Sequence, residues 1–156
     1  MARPPLAEHR HDVPTDLHAT VARRLRDDDQ RYTSGRRQLV DVLAGADRPL
    51  TIGELLERDD DLAQSSAYRN LAVLERADVV HRVVTDDEFA RFELTEDLTG
   101  HHHHLICQSC GRVEDFTIST QLESSLSRAF SKVADDTGFH AEHHRLDLLG
   151  TCASCG

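Results

Sequence analysis

The run His101-His102-His103-His104-Leu105-Ile106-Cys107-Gln108-Ser109-Cys110 places four imidazoles and two thiols side by side. A second Cys-x-x-Cys pair, Cys152 and Cys155, completes the cysteine content of the chain. Four thiolates in two matched pairs suit tetrahedral Zn2+, which takes soft sulfur and has no redox chemistry of its own. A four-thiolate set leaves no open position, so a structural ion is expected there. Two buried or oxidised pairs are the weaker alternative, because the two spacings match. The gap between the pairs exceeds that of a compact zinc finger, so a shared ion closes most of the intervening segment.

The histidines admit a second chemistry. In an extended segment His101 and His103 face one way and His102 and His104 the other. One run can therefore serve two centres on opposite faces, each completed by ligands from elsewhere. The candidates are His81, Glu93, Asp115, Glu123, His143 and His144. An internal run of four that leads into a cysteine knuckle does not resemble an appended tag. For each candidate partner the spacing weighs equally for a solvated surface group.

The elements that must position these groups follow from patterning. The chain has 156 residues, enough for one ordinary domain or two small ones, and 38% of it is hydrophobic. Met1 to Pro14 holds three of the four prolines, shows no periodicity and has no apolar run, so a disordered tail over 1–14 and no signal peptide are expected. No stretch of the chain is long enough to cross a bilayer, and a cytoplasmic location follows by default. A winged helix-turn-helix unit is expected over 15–95. Leu17, Val21 and Leu25 share one helical face behind a Thr15 cap; Leu39, Val40 and Leu43 share another over Ser34 to Ala44. Thr51-Ile52-Gly53-Glu54 reads as a capping box opening a third helix. A fourth runs from about Ser65 to Arg76, and Val79–Val84 and Phe89–Leu94 form a hairpin. Residues 96–100 read as a hinge. Over 101–156 the order is strand, strand, helix, strand, with a second capping box at Thr120 to Glu123. This segment is small enough to need a second copy, so a homodimer is expected. The fold class is α+β.

Net charge is -10, which by itself argues against nucleic acid. Local fields differ: Arg23, Arg24, Arg26, Arg31, Arg36 and Arg37 crowd into one short stretch, away from the acidic runs. No Gly-rich phosphate loop and no Ser/His/Asp arrangement is legible.

From about Thr33 to Gly156 the chain resembles the ferric uptake regulator superfamily of bacterial metal-sensing repressors. The resemblance is carried by Thr33-Ser34-Gly35-Arg36, Ala67-Tyr68-Arg69-Asn70-Leu71, Arg91-Phe92-Glu93-Leu94, His101 to Asp115, and His144 to Cys152. It implies an N-terminal winged helix, a C-terminal α/β dimerisation domain and metal-dependent binding to palindromic double-stranded operator DNA, with no small-molecule substrate. By that resemblance Cys107, Cys110, Cys152 and Cys155 hold structural zinc. His81, Glu93, His102 and His104 form the sensing site, and His101, His103, Glu123 and His144 a further site. Arg36, Ser66, Tyr68 and Arg69 meet DNA. Three departures stand out. Arg48-Pro49 replaces a histidine common in iron and peroxide sensors, Thr95 replaces a cysteine common in zinc sensors, and Gly35 replaces a usual glutamine.

The function expected is a zinc-responsive repressor, with an iron-responsive (Fe2+), manganese- or nickel-responsive member of the same family as runner-up. A zinc-dependent enzyme would need an open metal position and a substrate pocket. A metal buffer that does not bind DNA would leave Tyr68-Arg69 and the hairpin without a role.

Overall fold

In the computed structural model, residues 16–85 and 87–156 are described. The expected tail over 1–14 and the Thr15 cap lie outside them.

Apolar residues at helical spacing set the first unit. α1 (Leu17–Asp27) buries Leu17, Val21 and Leu25, and α2 (Ser34–Ala44) buries Leu39, Val40 and Leu43. Thr33 caps α2 by accepting from the Arg36 amide. The expected box at Thr51 forms: its hydroxyl accepts from the Glu54 amide, and the Glu54 carboxylate accepts from the Thr51 amide at 2.8 Å. It opens α3 (Ile52–Arg58), which follows a two-residue strand, β1 (Leu50–Thr51), too short to carry a period in sequence. α4 (Gln64–Arg76) buries Ala67, Leu71 and Leu74. β2 (Val80–Val83) and β3 (Arg91–Leu94) pair antiparallel, and β1 adds to β3, giving the order β1-β3-β2. One hydrophobic cluster runs from Leu17 to Leu98 and includes the fully buried Leu25, Leu39, Leu50, Leu55 and Leu74.

The expected hinge is a single helical turn, α5 (Glu96–Thr99), ended by Gly100 at φ 90°. That angle is open to glycine and strained for other residues. The chain then enters β4 (His103–Cys107), which pairs antiparallel with β5 (Val113–Phe116) and parallel with β6 (Asp147–Gly150). α6 (Thr120–Thr137) crosses from β5 towards β6. β6 begins at Asp147, and His144 to Leu146 precede it.

The second capping box does not form. Ser119 is the N-cap of α6, accepting from the Leu122 amide, because the Glu123 carboxylate is turned to histidines instead of back to its own helix end. α6 has no buried residue: Leu122, Val133, Leu148 and Leu149 are each at least half exposed, and Phe130 is 38% exposed.

Candidate metal centres and nucleic-acid face

The four cysteines converge. Two tight turns, at 107–110 and 152–155, bring Cys107, Cys110, Cys152 and Cys155 within 4.8 Å of one another, β6 running parallel to β4 and delivering the second pair beside the first. Cys110 Sγ and Cys152 Sγ stand 3.8 Å apart. That is about the edge of a tetrahedron built on Zn–S bonds of about 2.3 Å. The Cys152 amide donates to Cys107 Sγ at 3.3 Å, and this bond, with the amides of Cys110 and Ser109, holds the Cys107 thiol down to about 6. A thiolate is the ligand form, so these amides favour it at Cys107, whereas at Cys155 the contact with Ser109 is outweighed by those with Cys152 and Cys110, which push its thiol up to about 11. Gly111 follows at φ 71°, and a Cβ there would sit 1.9 Å from Asp87 Oδ2. The bare backbone at Gly111 lets the knuckle press on the hairpin turn, where Asp87 and Arg91 pair at 2.7 Å.

The alternation through His101 and His102 into β4, which begins at His103, separates the histidines as an extended period requires. On one face His102 and His104, both buried, meet Glu93 of β3: His102 Nε2 to Glu93 Oε2 is 3.2 Å and His104 Nε2 to the same oxygen 3.1 Å. Asp115, opposite His104 in the β4–β5 ladder, brings its carboxylate to 4.0 Å from His102 and 3.9 Å from His104. The Nδ1 side of each ring is engaged, His102 with the Gly100 carbonyl at 2.9 Å and His104 with Asp147 at 3.1 Å. Both Nε2 atoms are thereby turned to the common centre, the ring orientation that metal-ligating histidines need.

Burial alone would raise the Glu93 carboxyl, but hydrogen bonds from His102 and His104 overcome it and hold Glu93 at about 2. Burial alone would lower His102; the bonds to Glu93 and the Gly100 carbonyl raise it to about 9. His104 is raised against its burial by Glu93 and Asp115. Two carboxylates and two imidazoles so arranged bind either protons or a divalent cation.

On the other face His101, His103 and His144 surround Glu123 of α6. The distances are 3.2 Å from His101 Nε2, 3.1 Å from His103 Nε2 and 3.0 Å from His144 Nε2. Glu123 Oε1 and His144 Nε2 approach without hydrogen-bond alignment. His103 is 1% exposed, the most buried of the four histidines in the run.

His81 is not brought into either group. The ladder sets it opposite Glu93, yet the carboxylate turns to β4 while the exposed His81 ring meets the Arg145 guanidinium at 3.3 Å. A side chain held by a cation is poorly placed to join a cation site. Asp115, only a candidate from sequence, stands where His81 was expected; the β4–β5 register that delivers it has no sequence signature. His143 lines the cleft beside His81 and belongs to none of the three groups.

The residues expected at DNA lie on the first unit. Tyr68 is 56% exposed near the start of α4, Arg69 is exposed beside it, and Ser66 is half-buried. Arg36 is half-buried and braced by Asn70 Oδ1 at 3.3 Å and by the Arg31 carbonyl. A Cβ at Gly35 would come to 3.2 Å from Asn70 Nδ2, so glycine in that departure eases the approach of α2 to α4.

The ferric uptake regulator family model matches residues 27–149. Among curated relatives, the peroxide operon regulator of Bacillus subtilis is 30% identical over 95 residues, covering 61% of this chain and 60% of that protein. The ferric uptake regulation protein of Bordetella parapertussis is 34% identical over 101 residues, covering 65% of this chain and 68% of that one. The alignment thus spans about three fifths to two thirds of these relatives. The solved Helicobacter pylori ferric uptake regulator, described as having three functional metal binding sites, superposes with a TM-score of 0.70 at 21% identity, over 94% of this chain and 95% of that one.

Proposed function

From the premise that this chain belongs to the ferric uptake regulator family, whose members are metal-responsive transcriptional regulators and not enzymes, we propose that it is a zinc-responsive repressor of palindromic operators. The observation that carries the reading is the contact of Glu93, on the hairpin sheet, with His102 and His104, beyond Gly100. A divalent cation held by Glu93, His102, His104 and Asp115 would supply a Lewis-acid centre common to both units. Through it Glu93 ties the hairpin to the second sheet and sets the angle at which α4 is presented.

Two α4 helices must match two half-sites, which requires a dimer. The exposed apolar faces of α6 and β6 support a homodimer through the second unit. Tyr68, Arg69 and Ser66 would read or brace the groove, and Arg36 would meet backbone phosphate. Cys107, Cys110, Cys152 and Cys155 would hold structural zinc, and His101, His103, Glu123 and His144 a further ion. No helix among the described residues is long and apolar enough to cross a membrane; the site of action proposed for such a regulator is the cytoplasm.

Zinc is preferred because two imidazoles and two carboxylates at these separations suit four-coordinate Zn2+, although Fe2+ and Mn2+ accept the same donors. The test is selection of a duplex from a random pool by the metal-loaded protein, followed by binding titrations in buffered Zn2+ and buffered Fe2+. Zn2+ should drive binding at the lower free concentration; a stronger response to Fe2+ would reassign the metal, and binding without either would remove the switch.

A further inference from the structure

A cleft of about 490 Å³ separates the hairpin from the segment that leads into β6. Its rim carries His81 and its floor reaches Glu93 and His104. Arg145 spans it. The guanidinium donates from Nη1 to His81 Nε2 at 3.3 Å and from Nε to the Asp147 carboxylate, 3.1 Å from Oδ2 and 3.3 Å from Oδ1. Asp147 in turn accepts from His104 Nδ1 at 3.1 Å. The ladder pairs His104 directly with Asp147, so this last contact is fixed by sheet register and not by a flexible loop. The result is an unbroken hydrogen-bonded path: His81 on β2, Arg145, Asp147 on β6, His104 on β4, and Glu93 on β3.

We propose that His81 is the far anchor of a strap, Arg145 to Asp147, that positions the His104 ring for the cation, and that His81 is not itself a ligand. The inference rests on the reading of Glu93, His102, His104 and Asp115 as the sensing site. Three physical points carry it. Asp147 fixes the proton of His104 on Nδ1, leaving Nε2 as the electron-pair donor, and a carboxylate behind a histidine makes it a stronger donor. Arg145 offers a planar fork, so it can hold Asp147 through Nε and His81 through Nη1 at the same time; a lysine could not match that geometry. His81 accepts at Nε2, the atom it would otherwise present to a metal, and does so from a permanent cation. The strap also crosses from the hairpin to the second sheet, so a shift of β2 against β6 is felt at His104. His81 and Arg145 are therefore positioning residues, and the hairpin adjusts the affinity of the site without donating a second ligand to it.

The experiment is a buffered Co2+ titration of the full chain, with the cysteine site preloaded with Zn2+ and Glu123→Ala throughout so that the other histidine cluster does not compete. Ligand-field absorption reports coordination number and donor set independently of DNA binding. Arg145→Ala and His81→Ala should each weaken Co2+ binding by roughly 10–100-fold, the range for loss of an outer partner, with bands unchanged in position. The double variant should be no weaker than either single one, because both cut the same path. His81→Gln should bind as the parent does, since the Gln carbonyl accepts from Arg145 while being a poor zinc-type ligand. A parent-like affinity in Arg145→Ala, or displaced bands and lost affinity in His81→Gln, would overturn the proposal. Glu93→Ala separates the two levels: if it leaves the Co2+ spectrum intact, the sensing-site reading itself fails, whereas its loss beside a silent Arg145→Ala removes only the strap.

Discussion

The two halves of this molecule are held together by different physics. From Leu17 to Leu98 one hydrophobic cluster fills the space between four helices and a small sheet. Beyond Gly100 the buried side chains are few, and His102, His103, His104, Asp115 and Cys107 are among them. α6, 18 residues long, buries none of its side chains. The first half is a core that happens to carry a polar edge. The second is a set of convergent donors with a thin apolar lining. Folding of the first should be governed by packing and that of the second by what its donors bind, with Glu93 the residue that belongs to both.

The largest effect expected from this difference is at the cysteines. Binding of structural zinc in small domains is worth about 10–16 kcal/mol, more than such a thin lining can replace. Cys152→Ser should therefore unfold β4, β5, β6 and α6 while α1 to α4 keep their protection. Hydrogen exchange resolved by segment checks this; uniform loss across both halves would make the chain one cooperative unit. The converse is Leu39→Ala. Leu39 is 0% exposed, and truncating a leucine so placed costs about 2–5 kcal/mol. Denaturant unfolding of the first half should shift accordingly, with Zn2+ affinity at the cysteines unchanged.

A smaller effect distinguishes the halves by pH. His102 rests at about 9 against an ordinary 6.5, and Glu93 at about 2 against 4.5. In the absence of an ion, the contribution of His102 is complete below its ordinary value and is lost as pH rises through about 9. That of Glu93 is present above 4.5 and is lost as pH falls towards about 2. A cation must displace the His102 proton at neutral pH. Zn2+ affinity at this site should therefore fall from pH 8 to 6 by roughly tenfold per unit for each proton displaced. Calorimetry in buffers of different ionisation enthalpy counts the protons; release of none would contradict the charged pair.

The smallest effect lies where the halves touch. Gly111→Ala places a Cβ against Asp87 at φ 71°. The angle alone costs about 1–2 kcal/mol. Thermal unfolding should show that loss, and Asp87→Ala in the same chain should recover the steric part. Additive losses would mean that the knuckle does not bear on the hairpin.

The sequence was legible where a period or a box writes structure locally. The helices over Leu17 to Arg76, the Thr51 box and the hairpin stand where patterning placed them. The alternation of His101 to His104 foretold two faces, and the structure brings His102 and His104 to Glu93, and His101 and His103 to Glu123 and His144. The illegible parts depend on register or on competition. β1 has two residues and exists only because β3 lies beside it. Thr120-x-x-Glu123 has the letters of a capping box, but histidines compete for the carboxylate and prevail. Asp115 and Asp147 reach His104 through cross-strand pairing, which depends on residues more than ten apart or more than forty apart and has no local signature. The resemblance implies His81 in the sensing site, whereas its side chain is held by Arg145, a contact 64 residues distant in sequence.

The central claim is that Glu93 couples metal to DNA through the joint between the halves. Its most direct measurement is the fluorescence anisotropy of a selected palindromic duplex against buffered free Zn2+, for the parent chain and Glu93→Ala, with the cysteine site kept loaded. The parent should gain affinity with Zn2+ within the range of about 5–150-fold usual for coupled sites, and Glu93→Ala should stay at the low-affinity level at every Zn2+ concentration. Equal Zn2+-dependent gains in the two proteins would contradict the claim.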